Sequence, residues 1–159
     1  MGEEKQKQKK QYFGSDEVKL VAENVIKTQS SKLDPDISIA KIDYLLVEPE
    51  ISPTTVAMCR RTSPLLKYYG EIDYVVEVSK ATWDKLNDKT KNILILHELM
   101  HVKIGFAKNG TPKFGIKNHD ITDFFLIIKE FGTDWLESIK SSVASIYDFT
   151  SCQEDNIKI

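Results

Sequence analysis

The sequence predicts a small α+β domain, and three observations carry that prediction. An amphipathic helical stretch near the start precedes a block of alternating, strand-like segments between about residues 37 and 78, after which the chain turns helical. At the centre stands Ile93 to Val102, I-L-I-L-H-E-L-M-H-V, apolar nearly all round and therefore expected as a buried helix. With 159 residues and 41% apolar composition, one sizeable core is the natural packing solution.

Residues 1–13 are rich in Lys and Gln and read as a flexible polar arm, leaving 14–149 as the single domain and 150–159 as a polar tail. Ser15 is placed to cap a helix whose buried stripe is Val18, Val21, Ala22, Val25 and Ile26, ending near Ser30. Alternation of Ile42, Tyr44 and Leu46 predicts a strand within 37–47, stopped by Pro49. Further strands are expected over 54–61 and 72–78, separated by a turn-prone segment from Thr62 to Gly70, giving a sheet of about three strands. Arg60 and Arg61 read as strand-end charges in solvent, with a substrate carboxylate as the other use of such an arginine.

A short turn carrying Trp83 comes next, and Thr90 is placed to cap the central helix, expected to run from about Lys91 to Phe106 or Ala107. Residues from Asn109 to Asn118 then read as a loop. Asp120 is a good cap for a helix with Ile121, Phe124, Phe125, Ile128 and Phe131 inside and Gly132 as its stop. A last helix from Thr133 buries Leu136, Ile139, Val143 and Ile146.

The chemistry is concentrated in the central helix. His97 and His101 are four residues apart, about 40° from each other on a helix, so both imidazoles project from one face and can grip one metal ion. Glu98, rotated by about 100°, is too far round to ligate the same ion but can reach a water bound to it. H-E-x-x-H is the pattern of zinc hydrolases, with the Glu as general base. Buried polar groups in so apolar a helix need partners, and a metal with its water supplies them.

A catalytic zinc usually takes three protein ligands and keeps one open position. The remaining histidine, His119, stands 18 residues past His101 and is the first candidate. A carboxylate from the later helices, Asp120, Asp123 or Glu130, is the alternative. The extended motif with Gly and His at the next helical positions is absent, since Ile104 and Ala107 stand there.

Composition narrows the partners. A net charge of -2 gives no basic excess that would make nucleic acid the principal ligand. No run of 18 apolar residues occurs, and the N-terminus lacks a signal-peptide core, so a cytoplasmic protein with no membrane partner is expected. Cys59 and Cys152 form no C-x-x-C pair and suggest no disulfide framework.

H-E-L-M-H, then H-D-I-T-D-F and F-G-T-D-W, with the preceding Y-V-V-E-V and Trp83, resembles the phage metallopeptidase family over roughly Lys41 to Trp135. The chain is also similar, more distantly, to the SprT and Spartan proteases, whose third zinc histidine opens a helix in an H-G-x-x-F pattern. His119, Asp120 and Phe124 stand at comparable places, with Asp for Gly and the Phe one position later. Asp120 is accordingly open to three roles: helix cap, support for a ligand, or ligand.

The resemblance implies a minimal zincin-like fold, a small sheet packed on the motif helix, with Ile72 to Val78 as the sheet edge that takes an extended substrate. It also implies a peptidase. The expected function is hydrolysis of a protein or peptide substrate, with Zn²⁺ on His97, His101 and His119, and Glu98 as base. Tyr68, Tyr69 and Tyr74 are candidates for holding the oxyanion. Two other readings use the same residues: a silent module stapled by its metal, and a specialised protease cutting one regulatory or DNA-bound protein.

Overall fold

The computed structural model describes residues 9–119, 123–147 and 159. Its described elements are β1 (Gln11–Gly14), α1 (Asp16–Thr28), β2 (Ile42–Glu48), β3 (Ala57–Arg61), α2 (Pro64–Gly70), β4 (Tyr74–Ser79), α3 (Lys80–Trp83), α4 (Asp88–Leu99), β5 (Val102–Phe106), β6 (Pro112–Ile116), α5 (Phe125–Phe131) and α6 (Asp134–Tyr147). Short 3-10 turns at Ser30–Lys32 and Ile37–Ile39 carry the chain from α1 to β2. The architecture is α+β, as expected for a small zincin-like domain.

The main sheet has the order β1-β2-β4-β3, with β2 parallel to β4 and the outer strands antiparallel to their neighbours. β4 is therefore central, and its Tyr74, Val76 and Val78 are fully buried. The expectation that 72–78 forms the sheet edge is corrected: β3 lies outside β4, pairing Ala57 with Val78 through Arg61 with Tyr74. The other edge is β1, formed by residues that the sequence places in the arm, so the arm gives up Gln11, Tyr12 and Phe13 to a fourth strand.

Helix α1 follows its sequence signals. The Ser15 side chain accepts a hydrogen bond from the Val18 amide at 3.2 Å, Asp16 and Glu17 occupy the positive first turn, and Val18, Ala22 and Val25 face inward. It packs on α4 and over β2, while α4 packs over β3. The segment 62–70, expected as a turn, is mostly helical: Ser63 caps α2, Pro64 opens it, and Glu71 leaves it in a left-handed conformation at φ 55°.

Helix α4 differs from expectation at both ends. Asn87, not Thr90, is its cap, accepting from the Thr90 amide at 2.8 Å, while Thr90 itself is buried. The helix stops at Leu99, and residues expected to continue it form β5, which pairs antiparallel with β6. Val102 and Ile104 face inward between exposed Lys103 and Gly105, a period of two that suits a strand. The turn at 107–111 is closed by the Ala107 amide donating to the Thr111 carbonyl, with Gly110 at φ 82°. The region expected as a loop to Asn118 thus contains a strand.

The C-terminal helices bury Phe124, Ile127, Trp135, Ile139 and Val143, and Gly132 separates them at φ 71°. Ile121 and the Asp120 cap lie outside the described residues. No helix among the described residues is long and apolar enough to cross a membrane. Asn87→Ala should lower stability by about 1 kcal/mol, read as an earlier urea midpoint with an unchanged slope, and Asn87→Asp should restore it. An unshifted midpoint in Asn87→Ala would place the start of α4 elsewhere.

Candidate metal centre

Helix α4 brings His97 and Glu98 into the core, where neither has any exposed surface. The His97 ring is fixed from behind: its Nδ1 lies 2.7 Å from Asp123 Oδ1. That carboxylate also accepts from the Phe124 amide at 2.7 Å and from Trp135 Nε1 at 3.1 Å. Both of those groups can only donate, so the arrangement is satisfied by an ionised Asp123 accepting from His97 Nδ1–H as well, which leaves the lone pair on Nε2.

His101 follows one residue past the helical cap Met100 and is oriented by the hairpin base. Its Nδ1 lies 2.7 Å from the Lys117 carbonyl, which can only accept, and its own carbonyl accepts from the Lys117 amide at 2.7 Å. Again Nε2 keeps its lone pair. Burial pushes the His101 pKa down to about 4, so the ring is neutral, the form that binds metals.

His119 stands three residues beyond β6 and completes the group. Its Nε2 lies 2.8 Å from Nε2 of His97, and one ring nitrogen from each of His97, His101 and His119 falls within 4.8 Å of the others. Phe124 walls the cluster, its ring centroid 5.3 Å from His97, 5.2 Å from His101 and 5.3 Å from His119. The hairpin that carries His119 is pinned to the sheet by the Tyr74 hydroxyl, 2.8 Å from the Gly115 carbonyl and 3.0 Å from that of Lys103.

Glu98 is the electrostatic anomaly. Neither carboxylate oxygen makes a well-formed hydrogen bond among the described residues, the Cys59 backbone being only near enough to pull weakly on it, and burial pushes its pKa up to about 7 against that pull and the larger one of His97. An unpaired buried carboxyl is costly, so its partner has to come from the cleft it lines. That cleft, about 430 Å³, is bounded by Met58, Cys59, Glu98, His101, Ile116, Asn118, His119 and Ile159. Three imidazoles converging beside a carboxyl without a partner are a donor set that fits a divalent metal and a water.

The structure brings His97, His101 and His119 together, and Glu98 lines the same cleft as His101 and His119. Asp123 stands behind His97 and not among the converging nitrogens. Asp120 lies outside the described residues. Glu130 is removed from candidacy by its ion pair with Lys32. None of the three tyrosines lines the cleft: Tyr68 and Tyr69 are exposed on α2, and the Tyr74 hydroxyl is committed to the hairpin.

Arg60 and Arg61 are exposed, as expected, but engaged, with Glu77 at 2.7 Å and the Phe114 carbonyl at 3.1 Å. Sequence reasoning missed the lining role of Met58, Cys59, Ile116, Asn118 and Ile159. The period-two pattern of 102–106 and 112–116 was the signal that could have found Ile116.

Three converging histidines, His97 on α4, His101 just past its end and His119 beyond β6, define a candidate metal centre beside a small mixed sheet. The chain belongs to the family described as "Putative phage metallopeptidase", which matches residues 10–147. Neither the curated proteins nor the solved structures contain a match. The family points to a metal-dependent peptidase, and the three-histidine group is where a metal could be held.

Asp123→Ala should destabilise the metal-free protein by about 2–4 kcal/mol, because it strands His97 Nδ1, Trp135 Nε1 and the Phe124 amide in the core. A chemical denaturation curve overlapping that of the unmodified chain would show that the carboxylate does not hold these elements together.

Proposed function

We propose that the chain is a zinc metallopeptidase in which His97, His101 and His119 hold the ion and Glu98 is the general base. The observation that carries this reading is the convergence of three imidazole nitrogens beside a fully buried carboxyl without a partner. Zinc is favoured over harder ions because all three donors are imidazoles and the site leaves room for a fourth position. When bound, the ion supplies Lewis acidity, making water acidic enough to lose a proton near neutral pH and polarising a carbonyl.

The chain's own residues do the rest. Glu98 accepts a proton from the attacking water and returns it to the departing amine nitrogen as the peptide bond breaks. Burial raises the proton affinity of Glu98, which favours its taking a proton from water. Asp123 holds the His97 ring in one tautomer, and the Lys117 carbonyl does the same for His101. Phe124 keeps water away from the back of the trio.

An extended substrate would pair with the free edge of β3, whose Met58 and Cys59 border the cleft. Backbone hydrogen bonding at such an edge holds a peptide without regard to its side chains, so this contact supplies affinity and the cleft wall supplies selection.

Metal analysis and cleavage of a quenched fluorescent peptide library test the assignment together. Glu98→Gln should retain zinc and lose about 10²–10⁴-fold in rate. His97→Ala, His101→Ala and His119→Ala should each lose metal, and a chelator should abolish hydrolysis until zinc is returned. A His119→Ala chain with full metal content and intact hydrolysis would remove His119 from the site.

A further inference from the structure

A peptide laid along an edge strand satisfies only half of its backbone. The N–H and C=O groups of successive residues in an extended chain point to alternate sides, so those turned away from the edge need a partner on the far wall or stay in water. On the near wall, the register of β3 is fixed at both ends: the Ser79 amide donates to the Val56 carbonyl at 2.8 Å and the Thr62 amide to the Asp73 carbonyl at 3.0 Å. Every second pair between them repeats that pattern. Met58 and Arg60 therefore direct their backbone groups at β4, and Ala57, Cys59 and Arg61 direct theirs outward. Met58 and Cys59 border the cleft that Glu98, His101 and His119 also line.

The far wall is the chain leaving β6, which contributes Ile116 and Asn118. It is joined to β3 where the Arg61 guanidinium donates to the Phe114 carbonyl at 3.1 Å. Asn118 is bracketed by two anchored residues. Before it, Lys117 engages the His101 ring and carbonyl through its own backbone; after it, His119 Nε2 lies 2.8 Å from that of His97. The Asn118 side chain lines the cleft and makes no hydrogen bond to another described residue. Of the described residues that line the cleft, it alone carries a carboxamide, which offers one acceptor oxygen and a donor nitrogen just as a peptide unit does.

We propose that the Asn118 carboxamide clamps the substrate main chain from the side opposite β3, Oδ1 accepting from the N–H of one substrate residue and Nδ2 donating to its carbonyl. The inference rests on the peptidase reading above and on pairing of the substrate with β3. The scissile segment is then held on both sides by groups that read backbone and not side chains. Such a contact is made alike in the ground state and the transition state, so its loss raises KM and leaves kcat unchanged.

The zinc-loaded Glu98→Gln chain separates binding from turnover. The library peptide that it binds most tightly, labelled with fluorescein, should bind the Glu98→Gln, Asn118→Ala double variant about tenfold more weakly by anisotropy, at equal zinc content and an unshifted urea midpoint. Replacing the peptide's amides by esters one at a time removes one N–H donor each. One ester should cost about tenfold against the Glu98→Gln chain and less than about twofold against the double variant. With Glu98 intact, Asn118→Ala should raise KM about tenfold at unchanged kcat.

Equal affinity of the two chains, the same response of both to every ester, or binding of no library peptide would each overturn the clamp. Hydrolysis with a KM that Asn118→Ala leaves unchanged would overturn it too and leave the peptidase reading standing. An ester effect that depends on Asn118, without hydrolysis by the unmodified chain, would support the clamp and overturn the peptidase reading.

Discussion

The buried hydrogen bonds of Asp123 hold the structure's centre together. One carboxylate takes His97 from α4, the amide that precedes α5, and Trp135 from α6, at 2.7, 2.7 and 3.1 Å. A carboxylate with no exposed surface is tolerable only when several donors surround it, and here they come from α4, from α6 and from the residue next to Asp123. Satisfying Asp123 therefore fixes how the C-terminal helices dock on α4. It also fixes the His97 tautomer, which is what turns a buried histidine into a potential ligand.

The second constraint is the early end of α4. Because α4 stops at Leu99, the chain reverses through β5 and β6 and returns to His101, where the Lys117 backbone holds both the ring and the carbonyl of His101. His119 follows two residues later. Tyr74 ties this hairpin to the central strand, so a residue first considered for chemistry serves to position the third histidine.

The sequence made the site more legible than the frame around it. H-E-x-x-H keeps His97 and His101 within reach of one ion even though α4 ends between them, and His119 is the one histidine left to join them. The cap and stripe of α1 are readable because a 3.6 period over several turns has few competitors, whereas α5 starts only at Phe125, with Phe124 at its cap position in place of the expected Asp120. Among the short elements β2, β3 and β4 are legible from alternation, whereas β5, β6 and α2 are not, since apolar runs of that length suit a helix or a strand equally. The 102–106 segment was absorbed into the helix before it for that reason. Segment 62–70 looked like a turn because Pro64 and Gly70 punctuate it, although Ser-Pro at a start and Gly at an end are also helix signals. Strand order was beyond reach because it depends on pairing between distant segments, and this is why β4 was misplaced at the sheet edge.

Family membership and geometry meet at the same residues. The match over 10–147 points to metal-dependent peptide hydrolysis, and the chain gathers three histidines and one buried carboxyl without a partner where that chemistry would need them. The most direct measurement of the central claim is X-ray absorption at the zinc edge on the metal-loaded full chain. Three imidazole nitrogens and one further oxygen or nitrogen at about 2.0–2.1 Å are predicted. A sulfur shell near 2.3 Å, or only two imidazoles, would contradict the three-histidine centre.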